Sequence, residues 1–513
     1  MVSTVTVRSE SGDFKLLYEP GVTLLDVLRA ESFDIAAPCG GQGKCGKCAV
    51  TLVSPDGKRE RVNACQILAS DVGDRVVIAP DSASGGEIQL SGALISGAGG
   101  LRGYAAALDI GTTTLAVRIV DRASGETLAS ASAWNAQAPY GADVISRIKH
   151  ASRPEGLDKL TALARNQTRE LIITACGDAG IAQGEIDEIL CCGNTTMEHI
   201  FAGISPESLG RAPYAPATYF TGGEALRDEA FPNAAIRLAP CVSGFVGGDT
   251  VAAVHATGMA GKSGVRLLMD IGTNGELVLG GKDGLVSCSV ACGPAFEGAE
   301  ISCGMRSVPG AISAVRFAQG EFWYVVIGGG YPKGICGTGI VDALAEMLRA
   351  GVVDGTGRLL EPDELPKGLR ETVSVNKKGN VSFTVAPGVK LRAADIRKLQ
   401  LAKAAVRAGV DLLMERAGVT AGDIDEVCLA GGFGTRLNIK SAAAIGLIPP
   451  ELADKTRAVG NAALDGVHLA LCEPDGAEKL LAIRERCEYM ELAGSAEFSD
   501  AFVDAMAFYD EDD

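Results

Sequence analysis

The sequence predicts a multidomain α/β protein: a small cysteine-bearing module, a flexible linker, and a large unit built on a duplicated α/β fold. Three observations carry this. Four cysteines near the N-terminus, Cys39, Cys45, Cys48 and Cys65, are spaced like a metal-ligand set. Residues 82–103 are rich in Gly, Ser and Ala and carry little charge. The tetrapeptide DIGT, preceded each time by a short apolar run, occurs at 109–112 and again at 270–273.

Size and composition set the frame. A chain of 513 residues exceeds one ordinary core, and its 47% hydrophobic content lets it bury large ones. Scarce aromatics with abundant Ala, Gly and Val suit closely packed α/β layers. No stretch approaches ~18 apolar residues, so no membrane span is expected. The start, MVSTVTVRSESGD, alternates Val with polar residues and lacks a basic region followed by an apolar core, so it reads as a strand without an export signal. Asp and Glu number 64 against 47 Lys and Arg, and a net charge of −17 disfavours nucleic acid and anionic lipid as partners. Fifteen cysteines without an export signal point to a reducing cytoplasm.

The first module spans residues 1–81. Its cysteines follow C-x5-C-x2-C, with the fourth after sixteen intervening residues. Three thiolates in one loop and a fourth from a later turn suit iron–sulfur or zinc. Gly40, Gly41, Gly43 and Gly46 favour the cluster, because a Cβ-free loop wraps closely and aims N–H groups at sulfur. Strands are expected at 5–7, 14–18, 49–53, 61–62 and 76–79, with a short helix at 23–30. This order resembles the β-grasp fold of 2Fe–2S ferredoxins, with a first cysteine gap one longer than the plant type. Residues 82–103 then form a flexible linker, with an r.m.s. span of ~25 Å and a stretched limit of ~75 Å.

Residues 104–513 hold the repeated turns. An apolar strand ending in Asp-Ile-Gly-Thr presents a carboxylate, a Cβ-free turn and a hydroxyl together. The Gly lets a phosphate approach, and the turn's N–H groups can bind its oxygens. Asp109 or Asp270 can then hold a hydrated Mg2+ ion opposite those phosphates. Gly111, Thr112, Thr113 and Thr114 form the first candidate cradle; Gly272, Thr273 and Asn274 form the second. A third element, EVCLAGGFGTRL at 426–437, runs a strand into a Gly-rich turn where Gly431, Gly432 and Gly434 would lie against an adenosine. The apolar spacing 396, 399, 402, 406, 410, 413 predicts a core helix over 394–417, stopped by Gly418, from which Lys403 could reach the nucleotide.

These motifs resemble the ASKHA phosphotransferases and ATPases, the group of acetate and sugar kinases, heat-shock chaperones and actin. The resemblance implies a duplicated RNase H-like fold binding ATP. DIGTTT and DIGTNGE are similar to its phosphate motifs, LAGGFG to its adenosine motif, and GICGTGIVDAL at 334–344, with Gly337, to its helix-starting connection. Asp109, Asp270 and Glu276 are the candidate catalytic carboxylates; which one orients the attacking water stays open. None of these loops carries a Lys, so backbone amides and Mg2+ must neutralise the phosphates.

A ferredoxin module followed by an ASKHA module resembles the reductive activators of corrinoid-dependent enzymes. Further stretches are similar to that family: GNTTMEHIFAGI at 193–204, VSGFVGGDT at 242–250, CGPAFEGAEISCGM at 292–305, DIRKLQLAKAA at 395–405 and AEFSDAFVDAMAF at 496–508. The resemblance implies ATP-driven reduction of Co(II) cobalamin to Co(I), a corrinoid protein of a methyltransferase system as partner, an upstream low-potential electron donor, and a homodimer. Longer members place an extra domain between linker and ATPase, whereas here residue 104 enters the first phosphate motif directly. Rival readings are a small-molecule kinase with a redox-sensing appendage, an activator of radical dehydratases, and an electron carrier with a regulatory nucleotide site. ATGMAGKS at 256–263 fits a loose P-loop pattern, but a strand toward the second DIGT follows it where a P-loop needs a helix. The four histidines and the remaining cysteines read as surface or core residues.

Overall fold

The computed structural model describes residues 3–9, 12–18, 20–30, 33, 48–78, 101–141, 143–222, 225–298 and 300–508. Cys39, Cys45, their glycine-rich loop and residues 82–100 of the expected linker lie outside the described residues. In the first module, β1 (Ser3–Ser9) and β2 (Gly12–Tyr18) form a hairpin that turns Val5, Val7 and Leu16 to one face. A helix, Leu24–Ala30, starts where the Thr23 hydroxyl accepts from Asp26 N at 3.2 Å. With β3 (Ala49–Val53), β4 (Arg59–Asn63) and β5 (Val76–Ile78), the sheet order is β2-β1-β5-β3-β4. Leu24, Leu25, Val27 and Leu28 meet Val50, Leu52 and Val77 in its core. This is the expected β-grasp arrangement, a helix laid across a mixed sheet.

The large unit opens with β6 (Tyr104–Ile110), β7 (Thr114–Asp121), β8 (Glu126–Trp134), β9 (Ile186–Gly193) and β10 (Ala235–Leu238), ordered β10-β9-β6-β7-β8. Strands β6 to β8 are antiparallel, while β9 and β10 run parallel to β6. The central strands read AAAL and ILCC because both faces are covered. A second set follows: β11 (Val265–Ile271), β12 (Gly275–Gly281) and β13 (Gly284–Val290). Two small three-stranded sheets then intervene: β14 (Ala311–Ala318) with β15 (Glu321–Val326) and β16 (Gly334–Ile335), and β17 (Val373–Val375) with β18 (Val381–Ala386) and β19 (Val389–Arg392). The sheet is completed by β20 (Ile424–Ala430), β21 (Thr456–Gly460) and β22 (Cys487–Tyr489), in order β21-β20-β11-β12-β13-β22.

Apart from the added edge strand β22, the two large sheets share strand order and strand sense. The duplication inferred from two tetrapeptides is therefore a duplication of topology. The halves meet through the helices Gly248–Thr257 and Ala462–Cys472, whose Val251, Val254, Leu464 and Val467 share one core. Gly466 allows this contact, since a Cβ there would lie 1.8 Å from Ala252 O. The predicted helix is Ala393–Ala417, with Ile396, Leu399, Ala402, Val406, Val410 and Leu413 all buried and Gly418 ending it at φ +66°. The P-loop look-alike falls on the end of helix Gly248–Thr257 and the turn into β11, a helix-to-strand order that reverses a P-loop. No helix among the described residues is long and apolar enough to cross a membrane.

Candidate nucleotide cleft and cluster corner

Cys48 immediately precedes β3, and Cys65 sits in the helical turn Ala64–Gln66 that follows β4. The pairing Ala49↔Asn63 closes that hairpin and brings the two thiols to an Sγ–Sγ distance of 3.2 Å, buried and unlinked. Two of the four predicted ligands therefore converge. Among the described residues no set of three metal-ligating side chains is gathered, the other two cysteines lying outside them.

The two DIGT turns stand at the same place in each sheet but differ in length. The first links Ile110↔Leu115 and the second Ile271↔Gly275, one residue shorter. Gly111 closes the first, because a Cβ there would meet Thr114 O at 2.7 Å. Asn135 braces it by donating from Nδ2 to Gly111 O (2.9 Å) and from its amide to Thr113 O (2.9 Å). Arg147 donates to Thr112 O, and Asn194 Nδ2 to Thr112 Oγ1 at 2.9 Å. In the second turn, Gly272 N donates to Asn274 O (2.9 Å) and Thr273 Oγ1 to Glu297 Oε1 (2.9 Å).

The carboxylates lie on the floor between these turns. Asp109 Oδ2 accepts from Asn461 Nδ2 at 2.8 Å, while Asn461 caps the helix Ala462–Cys472 by accepting from Leu464 N. The Asp109 carboxylate, in the first half, is thus held by a residue of the second. Register pairs Asp270 with Glu276, side by side on one face; the residue opposite Asp109 is Ala116, so the first half has no counterpart of Glu276. Asp270 Oδ1 would lie 2.5 Å from a Cβ at Gly431, whose φ is +80°.

All these groups keep some solvent contact, yet protein surrounds them, as at the bottom of a cleft. Burial raises Asp109 to about 7, with Asp249 adding to the rise and Asn461 and Arg118 opposing it. Burial also lifts Asp270 to about 7, helped by Asp249 and Asp109. Glu276 is pushed well above the usual carboxylate range by burial and then by Asp249 and Asp270. Asp249, in the first turn of helix Gly248–Thr257, rises only to about 6, since Thr250 donates to it. Sequence reasoning quoted VSGFVGGDT without giving Asp249 a role; the available signal was an acidic residue after Gly-Gly at a helix start.

The adenosine segment differs in detail from the expected turn: after β20 the chain enters a short helix, Gly431–Arg436. Gly432 faces open space, whereas a Cβ at Gly434 would approach Leu429 at 3.1 Å. Gly337 begins its helix against Phe296 O, which a Cβ would overlap at 1.6 Å, and Phe296 stacks on Phe433 with centroids 5.3 Å apart. Lys403 does not reach a nucleotide. It is buried, donates from Nζ to Ala507 O, and lies 5.0 Å from the Phe508 ring centroid, so it ties the C-terminal segment to its helix. His199, His255 and His468 are buried, as are the cysteines beyond the first module except half-buried Cys303.

Comparison with known proteins agrees with this architecture. Residues 10–70 match the family described as the 2Fe–2S iron–sulfur cluster binding domain, 104–262 the RACo middle region, and 264–513 the C-terminal domain of RACo, the ASKHA domain. The match to the family's middle region begins at residue 104 and contains the first DIGT turn. The chain is 35% identical over 413 residues to the corrinoid activation enzyme RamQ of Eubacterium limosum, covering 78% of this chain and 69% of that protein. It is 22% identical over 443 residues to the [Co(II) methylated amine-specific corrinoid protein] reductase of Methanosarcina barkeri, covering 79% and 77%. A solved structure of a reductive activator for corrinoid, iron–sulfur protein aligns over 98% of both chains with a TM-score of 0.68 and 30% identity. With a converging cysteine pair, paired DIGT turns and this likeness along most of its length, the chain belongs to the family of reductive corrinoid activators.

Proposed function

We propose that this protein uses ATP to drive one electron from a 2Fe–2S cluster onto the Co(II) corrinoid of a partner protein, giving Co(I). One observation carries the reading: a single chain joins a converging cysteine pair to a cleft in which two DIGT turns flank a group of neighbouring carboxylates. Cys39, Cys45, Cys48 and Cys65 would hold the cluster, and their thiolate donor set suits iron. When bound, it supplies a one-electron carrier of low potential, about −400 mV for plant-type centres. Each further 100 mV uphill costs ~2.3 kcal/mol per electron, which nucleotide-driven closure on the partner complex can offset.

In the cleft, the glycines and threonines at 111–114 and 272–274 bind the phosphates through backbone N–H and hydroxyl groups. Gly337, Gly431, Gly432 and Gly434 leave room for the adenosine. Mg2+ is ordinarily held by one or two carboxylates plus waters and phosphates. Asp109 and Asp270 fit that role, because their raised proton affinities mark a site that favours added positive charge. Asp249, whose charge acts on both Asp109 and Asp270 from the start of its helix, joins them as a candidate for orienting the attacking water. Glu276 accepts from Ser289 and is pushed well above the usual carboxylate range by burial, so it is the weaker candidate for the base. An upstream low-potential donor recharges the cluster, and the protein acts as a homodimer in the cytoplasm. The test combines purified protein, ATP, a reductant and a Co(II) corrinoid protein, followed by the Co(I) absorption band. Phosphorylation of an added small acceptor, with no Co(I), would replace this reading with a kinase.

A further inference from the structure

The halves share a buried core at the helices Gly248–Thr257 and Ala462–Cys472, and a second, exposed contact joins them through one pair of side chains. Trp134 ends β8, is 45% exposed, and pairs through its backbone with Thr114 of the first phosphate turn. The next residue, Asn135, makes both bonds that brace that turn. Arg306 is exposed in the loop between Glu297 and β14. That loop is fixed at several points: Glu297 accepts from Thr273 of the second turn, Ser302 N donates to Asp395 Oδ1 at 2.9 Å, and Met305 N donates to Ile335 O at 2.9 Å. The Arg306 guanidinium carbon sits 4.4 Å from the centroid of the Trp134 ring. A cation within ~6 Å of an indole face is attracted by the ring quadrupole.

One partner is thus adjacent to the brace of the first turn, and the other rides on a loop whose beginning, at Glu297, is bonded to the second. The contact persists only while the two turns keep a fixed separation. Both side chains are exposed, so no hydrophobic core depends on them. We propose that Arg306 is a positioning residue: seated on Trp134, it holds the two phosphate turns at the spacing that bound nucleotide requires. It acts through the width of the cleft and does not touch the phosphates. This rests on the reading that ATP binds between the turns.

The test uses the full chain with Trp323→Phe, which leaves Trp134 as the one indole of the two in the sequence. A non-hydrolysable ATP analogue shifts the Trp134 emission, and Arg306→Ala removes the shift. In ATP hydrolysis, Arg306→Ala and Trp134→Leu each raise KM for ATP about three-fold with kcat little changed, as expected for an exposed cation–ring contact. The double variant is no worse than either single one, whereas Arg306→Lys and Trp134→Phe recover most of the loss because a cation remains on a ring. Additive single effects, or a KM and emission shift in Arg306→Ala equal to the parent's, would overturn the proposal. Calorimetric titration of the parent with the analogue separates the two failures: absent binding refutes the nucleotide cleft, and normal binding with unchanged Arg306→Ala behaviour refutes the positioning role.

Discussion

Replacing Asp270 with Asn should make the nucleotide-free protein more stable above neutral pH while abolishing its ATPase. Asp270 lies at the end of β11 beside Glu276, and burial, Asp249 and Asp109 raise it from 3.8 to about 7. The sign follows from linkage. Between those values the folded state holds a proton that the unfolded state has released, so folding stability falls as pH rises through this window and levels off above 7. Three pKa units would be worth ~4 kcal/mol for a fully desolvated group. Asp270 keeps some water contact, and screening reduces the gain expected for Asn to about 1–2 kcal/mol. For a unit this large that is a rise of roughly 1–2 °C in the ATPase transition. The assay is a melting series on parent and Asp270→Asn from pH 5 to 8. The difference should be a little over a third of its full size at pH 5 and complete above pH 7. Mg2+-dependent hydrolysis should fall at least ~100-fold, since the carboxylate that faces the metal is lost. An Asn variant that melts lower than the parent at pH 8, or hydrolyses ATP at the parental rate, would refute this account.

Cys65→Ala should lose or damage the cluster, seen in iron content and the paramagnetic signal of the reduced protein, while ATP binding stays intact; stoichiometric zinc in anaerobically prepared parent would contradict the ligand assignment. Gly432→Val should block nucleotide binding in calorimetry without lowering the melting point, because a side chain there enters open space. Cutting the chain within 82–103 should leave both activities but slow Co(I) formation by ~10²- to 10³-fold at micromolar protein, through loss of effective concentration. Equal initial rates from cut and intact protein would show that the linker only separates domains.

Much of this was legible because local chemistry demanded it. A turn that must admit a phosphate needs glycine after a strand-end carboxylate, and two such turns announced two halves. The apolar spacing along 394–417 was readable for the same reason: a helix against a sheet can bury one stripe only. Asp249 was legible only as an acidic residue at a helix start; its meaning lies in closeness to Asp109 and Asp270, which arises when three distant segments meet. Lys403 misled because a lysine inside a helix suggests solvent or ligand, and its true acceptor is more than a hundred residues further on. The inequality of the halves, Glu276 against Ala116, appears only once strand register is known.

The seating of Lys403 also bears on how the chain completes itself. Burial and nearby Arg407 lower its proton affinity to about 8, and its ammonium is accommodated by the carbonyl of Ala507 and the ring of Phe508. A chain broken off before residue 507 would leave that cation in an apolar wall with its acceptor gone. Translation or proteolysis products lacking this segment are then marked by a defect inside the helix that ends just before the adenosine strand. Residues 507 and 508 thus hold the middle of the helix Ala393–Ala417 in place, far along the chain from the residues they support.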